Sequence, residues 1–203
     1  MPSEIFVVTA PSGTGKTTLL KALLAADPRL QFSISYTTRP PRPEEIPGQD
    51  YFFVSLKEFE RLRQEGALVE WVEQFGYAYG TSREWVLDTL KGGTDLVFDL
   101  DSRGARAFKK EFPQGTFIFI LPPSLEALRE RLARRGSLQP AELARRLEQG
   151  RAELKEVHRY DFLVVNDDLA QALKELKAIV QAARLRTIRR WPQLAPRFLA
   201  DSP

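Results

Sequence analysis

Cysteine is absent from this chain, and histidine occurs once, as His158. Disulfides, thiolate zinc sites and cysteine nucleophiles are thereby excluded, and a reducing cytoplasm suits the composition. Long apolar runs are missing too. The first one, IFVVTA from Ile5, is too short to span a bilayer and has neither a basic leader nor a cleavage site, so secretion and membrane insertion are not expected. Nor does charge of one sign dominate: 30 basic against 27 acidic side chains leave +3. Without a larger excess or a sheet of paired aromatics, small anionic ligands fit this chain better than nucleic acid.

What is present is an ordinary folded chain. Its 203 residues, 43% hydrophobic and 28% charged, suffice for one compact unit with smaller insertions. No internal repeat or low-complexity tract appears. EIFVVTA reads as a strand, and TTLLKALLAA as a helix stopped at Asp27-Pro28. FSISYTT alternates Ser33, Ser35 and Thr37 with Phe32, Ile34 and Tyr36, which predicts one strand with a polar face. RPPRPEEIPG reads as an ordered surface loop and YFFV as a short strand. LKEFERLRQEG then predicts a helix ended by Gly66, LVEWVEQF a strand, and GYAYGTS a turn into the helix SREWVLDTLKGG. TDLVFDLD, GTFIFILPP and FLVVN are further short apolar strands. Their alternation with helical patterns means a parallel sheet covered on both faces. Two Arg-rich helical patterns around GSLQP precede the last strand. The terminal helix is expected to end near Trp191-Pro192, with Arg184, Arg186, Arg189 and Arg190 as helix-dipole and solubility charges.

The most specific local signal is APSGTGKT, residues 10–17. It matches the phosphate-loop pattern except at its first position, where Ala10 replaces glycine. Ala10, Pro11, Ser12, Gly13, Thr14 and Gly15 lie between a predicted strand and a predicted helix. The glycines let successive backbone N–H groups turn inward around phosphate oxygens, and the helix start adds its positive end. Lys16 would reach the outer phosphates, Thr17 would touch magnesium, and Thr18 is expected with residues 10–17 among the ATP-binding residues. A plain glycine turn with a solvated lysine is the bland alternative. Either way the loop leaves the acceptor open.

The segments SISYTTRPPRP, GQDYFFV, VEWVEQFGYAYGTS and DLVFDLDSRG, taken with the loop, resemble the guanylate kinase family, especially its bacterial members, from Ile5 to about Arg186. The resemblance implies an α/β fold of P-loop NTPase type: a parallel sheet with helices on both faces, a small mixed GMP-binding insert and a helical lid. The corresponding boundaries are 1–32, 83–124 and 149–203 for the core, 33–82 for the insert and 125–148 for the lid. It also implies that Arg39, Arg42, Tyr51 and Tyr79 hold the acceptor's phosphate, and that Ser35, Glu70, Thr81 and Asp101 read guanine. Arg131, Arg135 and Arg146 would close over the phosphates, with Lys16, Arg39, Arg135 and Arg146 acting in transfer. Asn166 and Asp167 would lie near adenine. Two positions depart from the family pattern: Arg103 where glutamine is usual, and Arg134 where glycine is common.

The chemistry of these residue types agrees. Guanidinium forks match phosphate oxygens, and a carboxylate accepts from guanine N1–H and N2–H together. Asp99 and Asp101, two apart in a predicted strand, would share a face at its carboxyl end, with Asp99 supporting Lys16 or magnesium-bound water. Solvated arginines beside a proline loop, tyrosines that merely pack, a wet Glu70 and a structural Asp99 remain the alternatives. His158 reads as a plain histidine. No general base is required, since the acceptor phosphate, with a second pKa of about 6, is already ionised. The expected reaction is ATP plus GMP to ADP plus GDP with Mg²⁺, dGMP serving as well. A kinase with another acceptor, or a catalytically silent guanylate-kinase-like binding module, would be the rivals. An intact Gly15-Lys16-Thr17 argues against the module. Neither a membrane nor a nucleic-acid partner is expected.

Overall fold

A computed structural model of the chain describes residues 3–74, 76–134 and 139–199. β1 (Ile5–Thr9) runs into α1 (Lys16–Ala26), followed by β2 (Leu30–Phe32), β3 (Ser35–Thr37) and β4 (Tyr51–Phe53). Next come α2 (Leu56–Gln64), β5 (Leu68–Gln74), β6 (Tyr77–Ser82) and α3 (Arg83–Lys91). The second half runs β7 (Asp95–Asp99), α4 (Ser102–Glu111), β8 (Thr116–Leu121), α5 (Leu125–Arg134), α6 (Pro140–Leu154), β9 (Phe162–Val165), α7 (Leu169–Arg184) and α8 (Thr187–Leu199).

The apolar strands assemble into a parallel sheet of order β2-β7-β1-β8-β9. Burial on both faces explains why β1 has no polar alternation. Phe6 and Val8 pack with Leu19, Leu23, Ile118, Leu176 and Val180 under α1 and α7. Ile5 and Val7 face the other way, against Val86, Phe98, Phe108 and Phe117 under α3 and α4. Each such fully buried side chain contributes about 1.5–3 kcal/mol of transfer free energy. A second sheet, β4-β3-β6-β5, mixes parallel and antiparallel pairs and packs its own small core of Phe59, Leu68 and Ala78. The fold class expected from the sequence is therefore found.

Three local expectations are corrected. FSISYTT is two strands: β2 adds to the edge of the large sheet, and β3 belongs to the small one. Ser33 N–H still donates to the Val97 carbonyl at 2.8 Å, so the chain changes sheet just after it. A period of two fixes side-chain alternation but not the pairing partner. GYAYGTS is a strand from Tyr77 onward, and the turn is confined to the positive-φ Gly76. Gly80 misled as a turn residue. It is buried in the ladder because a Cβ there would meet Leu68, the Glu70 carbonyl and Phe59 at 3.0–3.1 Å. TDLVFDLD ends as a strand at Asp99, and Asp101 is the N-cap of α4. The same-face argument for the two aspartates therefore does not apply.

The C-terminal region also differs from expectation. The single predicted helix breaks after Arg184, and α8 forms despite Pro192 and Pro196. Arg184 pairs with Asp27 and, at 2.6 Å, with Asp95, while Arg189 pairs with the buried Glu4 at 2.9 Å. Burial raises the Asp27 carboxyl, but hydrogen bonds from Arg184 and Arg29 prevail and hold it at about 2. These arginines are anchors for the tail rather than solubility charges. Among the described residues no helix is long and apolar enough to cross a membrane.

Candidate active site

The carboxyl ends of the neighbouring strands β1 and β7 deliver the phosphate loop and Asp99 to one edge of the large sheet. Gly13 and Gly15 both have φ of +93°, a left-handed conformation that side chains rarely adopt. A Cβ at Gly15 would also lie 2.6 Å from Asn166 Nδ2 and displace that side chain. Gly15 caps α1, so the amide groups of Lys16 and Thr17 open toward the cleft without internal partners. Ala10, which stands where the motif usually has glycine, is buried beside β1. Lys16 is ion-paired with Asp99. Thr17 and Thr18 are exposed at the helix start.

The small sheet supplies the opposite wall. Its register aligns Tyr51 with Ser35, Ser35 with Thr81, and Thr81 with Glu70 across all four strands, forming one lateral row. A bulge between Leu68 and Glu70 makes this possible. In a regular strand Glu70, two residues on, would share the face of Leu68 and point into the small apolar core. Glu70 is only 4% exposed, and Thr81 Oγ1 donates to its Oε1 at 2.7 Å. Burial pushes the Glu70 carboxyl up to about 7; the Thr81 bond opposes this and the nearby Asp101 adds to it. Tyr79, two residues along β6 from Thr81, sits edge-on to Tyr51 with ring centroids 6.1 Å apart.

Loop and row face one cleft of about 390 Å³, lined by residues 10–17 and by Ser35, Arg42, Tyr51, Glu70, Tyr79, Asp99, Asp101 and Arg146. Other sequence-selected residues stand behind it. Thr81 is fully buried and reaches the cleft only through Glu70. Arg39 is held by Glu45 at 2.6 and 2.9 Å and by the Pro40 carbonyl at 2.7 Å, with its guanidinium over Tyr51. Arg131 donates to the carbonyls of Thr14 (3.2 Å) and Asn166 (2.8 Å), and Asn166 Nδ2 donates to Thr14 as well (2.8 Å). These two buttress the loop from behind. Asp167 is exposed after β9. Arg146 bonds Glu142 at 2.6 Å and approaches Ser12 Oγ at 3.4 Å. Arg135 lies outside the described residues.

Sequence reasoning missed Glu45, Gln149 and Glu153. Gln149 and Glu153 line the cleft from α6, and Gln149 donates to Glu153 at 3.0 Å. Burial raises the Glu153 carboxyl, whose Oε2 has no hydrogen-bond partner. Their spacing of three and seven from Arg146 puts all three on one helix face, a signal available in the sequence. Glu45 carried none, because its pairing with Arg39 depends on how the proline loop folds back.

Comparison with known proteins bears on this cleft. The family model described as guanylate kinase matches residues 3–183. The guanylate kinase of Symbiobacterium thermophilum is 46% identical over 185 residues, covering 91% of this chain and 88% of the relative. That of Nitrosomonas europaea is 46% identical over 187 residues, covering 92% and 93%. Among solved structures, guanylate kinase from Anaplasma phagocytophilum superposes with a TM-score of 0.75 at 31% identity, covering 92% of this chain and 89% of that one.

Proposed function

Because the chain belongs to the guanylate kinase family, we infer that it is a nucleoside monophosphate kinase that transfers the γ-phosphoryl group of ATP to GMP, giving ADP and GDP. The observation that carries this reading is the lateral row in which Tyr51, Ser35 and Glu70, with Thr81 behind Glu70, face Lys16 across a single cleft.

In this reading the loop's N–H groups and Lys16 take the ATP phosphates, with Asp99 keeping the ammonium aimed along the loop. Arg42, Tyr51 and Tyr79 take the acceptor phosphate, together with Arg39, which Glu45 and the Tyr51 ring preorient. Ionised Glu70 accepts from guanine N1–H and N2–H, and Ser35 and Asp101 complete the base contacts. Adenine presents no matching donor pair. Since Glu70 titrates near neutrality in the free protein, GMP binding must draw it into the ionised form. Arg146, and Arg135 with it, neutralise the charge that two converging polyanions bring together. The protein has only to align the acceptor oxygen with the γ-phosphorus and exclude water.

The described residues contain no group of three acidic or histidine side chains able to cage a metal. The donor set instead fits Mg²⁺ carried in with ATP and held by the Thr17 hydroxyl, phosphate oxygens and water, where the ion supplies charge neutralisation. Residues 33–82 act as the acceptor-binding insert and 125–148 as a lid, both moving toward the core when both substrates are bound. dGMP is expected as a second acceptor, because the residues assigned to base and phosphate make no use of the ribose 2′-hydroxyl. As a step of purine nucleotide metabolism the reaction belongs in the cytoplasm. The test is ADP formation from Mg-ATP with GMP, dGMP, AMP, CMP, UMP and dTMP in turn. Turnover confined to GMP and dGMP is the expected result, and an equal rate with AMP would remove the guanine assignment.

A further inference from the structure

Arg103 is more than half exposed, yet its guanidinium has three contacts at a junction of the molecule. Its Nε and Nη2 donate to Asp101 Oδ2 at 3.2 and 3.0 Å, and Nη2 also donates to the Glu73 carbonyl at 3.1 Å. Asp101 Oδ1 is already engaged as the helix cap, accepting from the Arg103 and Gly104 amides at 3.0 and 2.8 Å. Glu73 lies on β5 three residues beyond Glu70, so this one side chain ties the small sheet to the start of α4 in the core. The Asp101 carboxylate lies close to that of Glu70, which feels its charge. A Cβ on Gly104 would lie 3.0 Å from Glu70 Oε2 and 3.5 Å from Asp101 Oδ1.

We propose that Arg103 is a positioning residue for the acceptor base: it fixes the Asp101 carboxylate, offsets its repulsion of Glu70, and straps β5 to the core where the two carboxylates converge. The proposal rests on the reading that Glu70 and Asp101 face guanine. Arginine suits the task because a planar fork serves a carboxylate and a carbonyl at once; a single ammonium cannot span both, and a neutral amide leaves the charge uncompensated. Around the pair, Thr81 from β6 bonds Glu70 and Asp101 raises it; Glu153 of α6 feels Lys16, Asp101 and Arg103, Tyr160 feels Glu153 and Asp101, and Arg106, Arg145 and Glu156 line the same surface as Arg103. Arg103 supplies the compensating cation. Its loss makes ionisation of Glu70 harder and moves the onset of tight GMP binding to higher pH.

The test is steady-state kinetics with GMP varied and then ATP varied, from mildly acidic to mildly alkaline pH, for wild type, Arg103→Gln, Arg103→Lys and Glu70→Gln, each checked by thermal melt. Because the guanidinium is more than half exposed, Arg103→Gln should raise KM for GMP about two- to fivefold. It should leave kcat and KM for ATP unchanged, and shift the acid limb of kcat/KM for GMP upward by about half a pH unit. GMP's own phosphate ionisation is common to every variant and cancels in the comparison. Arg103→Lys should return the acid limb to its wild-type place while KM for GMP stays raised. A wild-type KM for GMP in Arg103→Gln would overturn the proposal. So would a general loss, with kcat and both KM values changing together and the acid limb unmoved. If Glu70→Gln is damaged for GMP while the Arg103 variants are not, this inference alone fails. If Glu70→Gln keeps full GMP use, the guanine reading fails first and this inference with it.

Discussion

The phosphate loop and the acceptor row each prepare the protein for an anionic nucleotide, and they do so by opposite means. The loop works through backbone: consecutive amides, positive-φ glycines and a helix start, braced from behind by Asn166 and Arg131 on the Thr14 carbonyl. Its lysine, Lys16, is already matched by Asp99. The row works through side chains from four strands, and the carboxyl at its end, Glu70, is buried at a cost that shows as a pKa near 7. A braced backbone cradle is expected to tolerate sequence change at its margins, where Ala10 stands in place of glycine. A buried ionisable reader tolerates little, because its neighbours decide whether it is charged.

The comparison can be broken at its strongest points first. Lys16→Ala should lower kcat/KM by about a hundred- to a thousandfold, the range typical of removing one preorganised electrostatic contact in phosphoryl or acyl transfer. The variant should remain folded by circular dichroism. Near-normal turnover would take the loop out of the account.

Glu70→Gln should lower kcat/KM for GMP by roughly a hundredfold, since one charged hydrogen bond, worth about 1.5–3 kcal/mol, is lost and an amide donor is turned toward a guanine donor. AMP should gain little, so discrimination narrows from the GMP side. Kinetics with both acceptors at saturating Mg-ATP decide this, and unchanged discrimination would make Glu70 a bystander.

The same substitution should act oppositely on stability. The folded-state value for Glu70 lies above the ordinary 4.5. Its contribution is therefore fully present below about pH 4.5 and lost as pH rises through about 7. Wild type and Glu70→Gln should melt together near pH 4. At pH 8 the glutamine variant should be the more stable by on the order of 3 kcal/mol, each pH unit between the two values being worth about 1.4 kcal/mol. Equal melting curves across that window would show that burial of Glu70 carries no such cost.

Ala10→Gly should do least. Restoring the motif's usual first residue should leave KM for ATP within about twofold and cost about 0.5–1 kcal/mol of stability by loosening the chain after β1. A large gain in ATP affinity would mean that Ala10 compromises the loop, and that the cradle is less tolerant than argued.

The sequence by itself determined the phosphate loop, because its function resides in contiguous backbone geometry that glycine spacing and the flanking strand and helix express directly. It also determined the two-sided parallel sheet, because burial on both faces leaves uninterrupted apolar runs such as IFVVT in β1. The residue types of the acceptor site came from resemblance, and their arrangement did not come at all. Only the tertiary structure decided that FSISYTT crosses between sheets, that a bulge turns Glu70 toward the cleft, that Thr81 acts from behind it, and that Glu45 and Arg103 hold the groups beside them. These are matters of strand register and of side chains that meet across tens of residues. The local pattern of a strand says which residues share a face; which neighbour that face will meet is set by the free energy of the whole packed core.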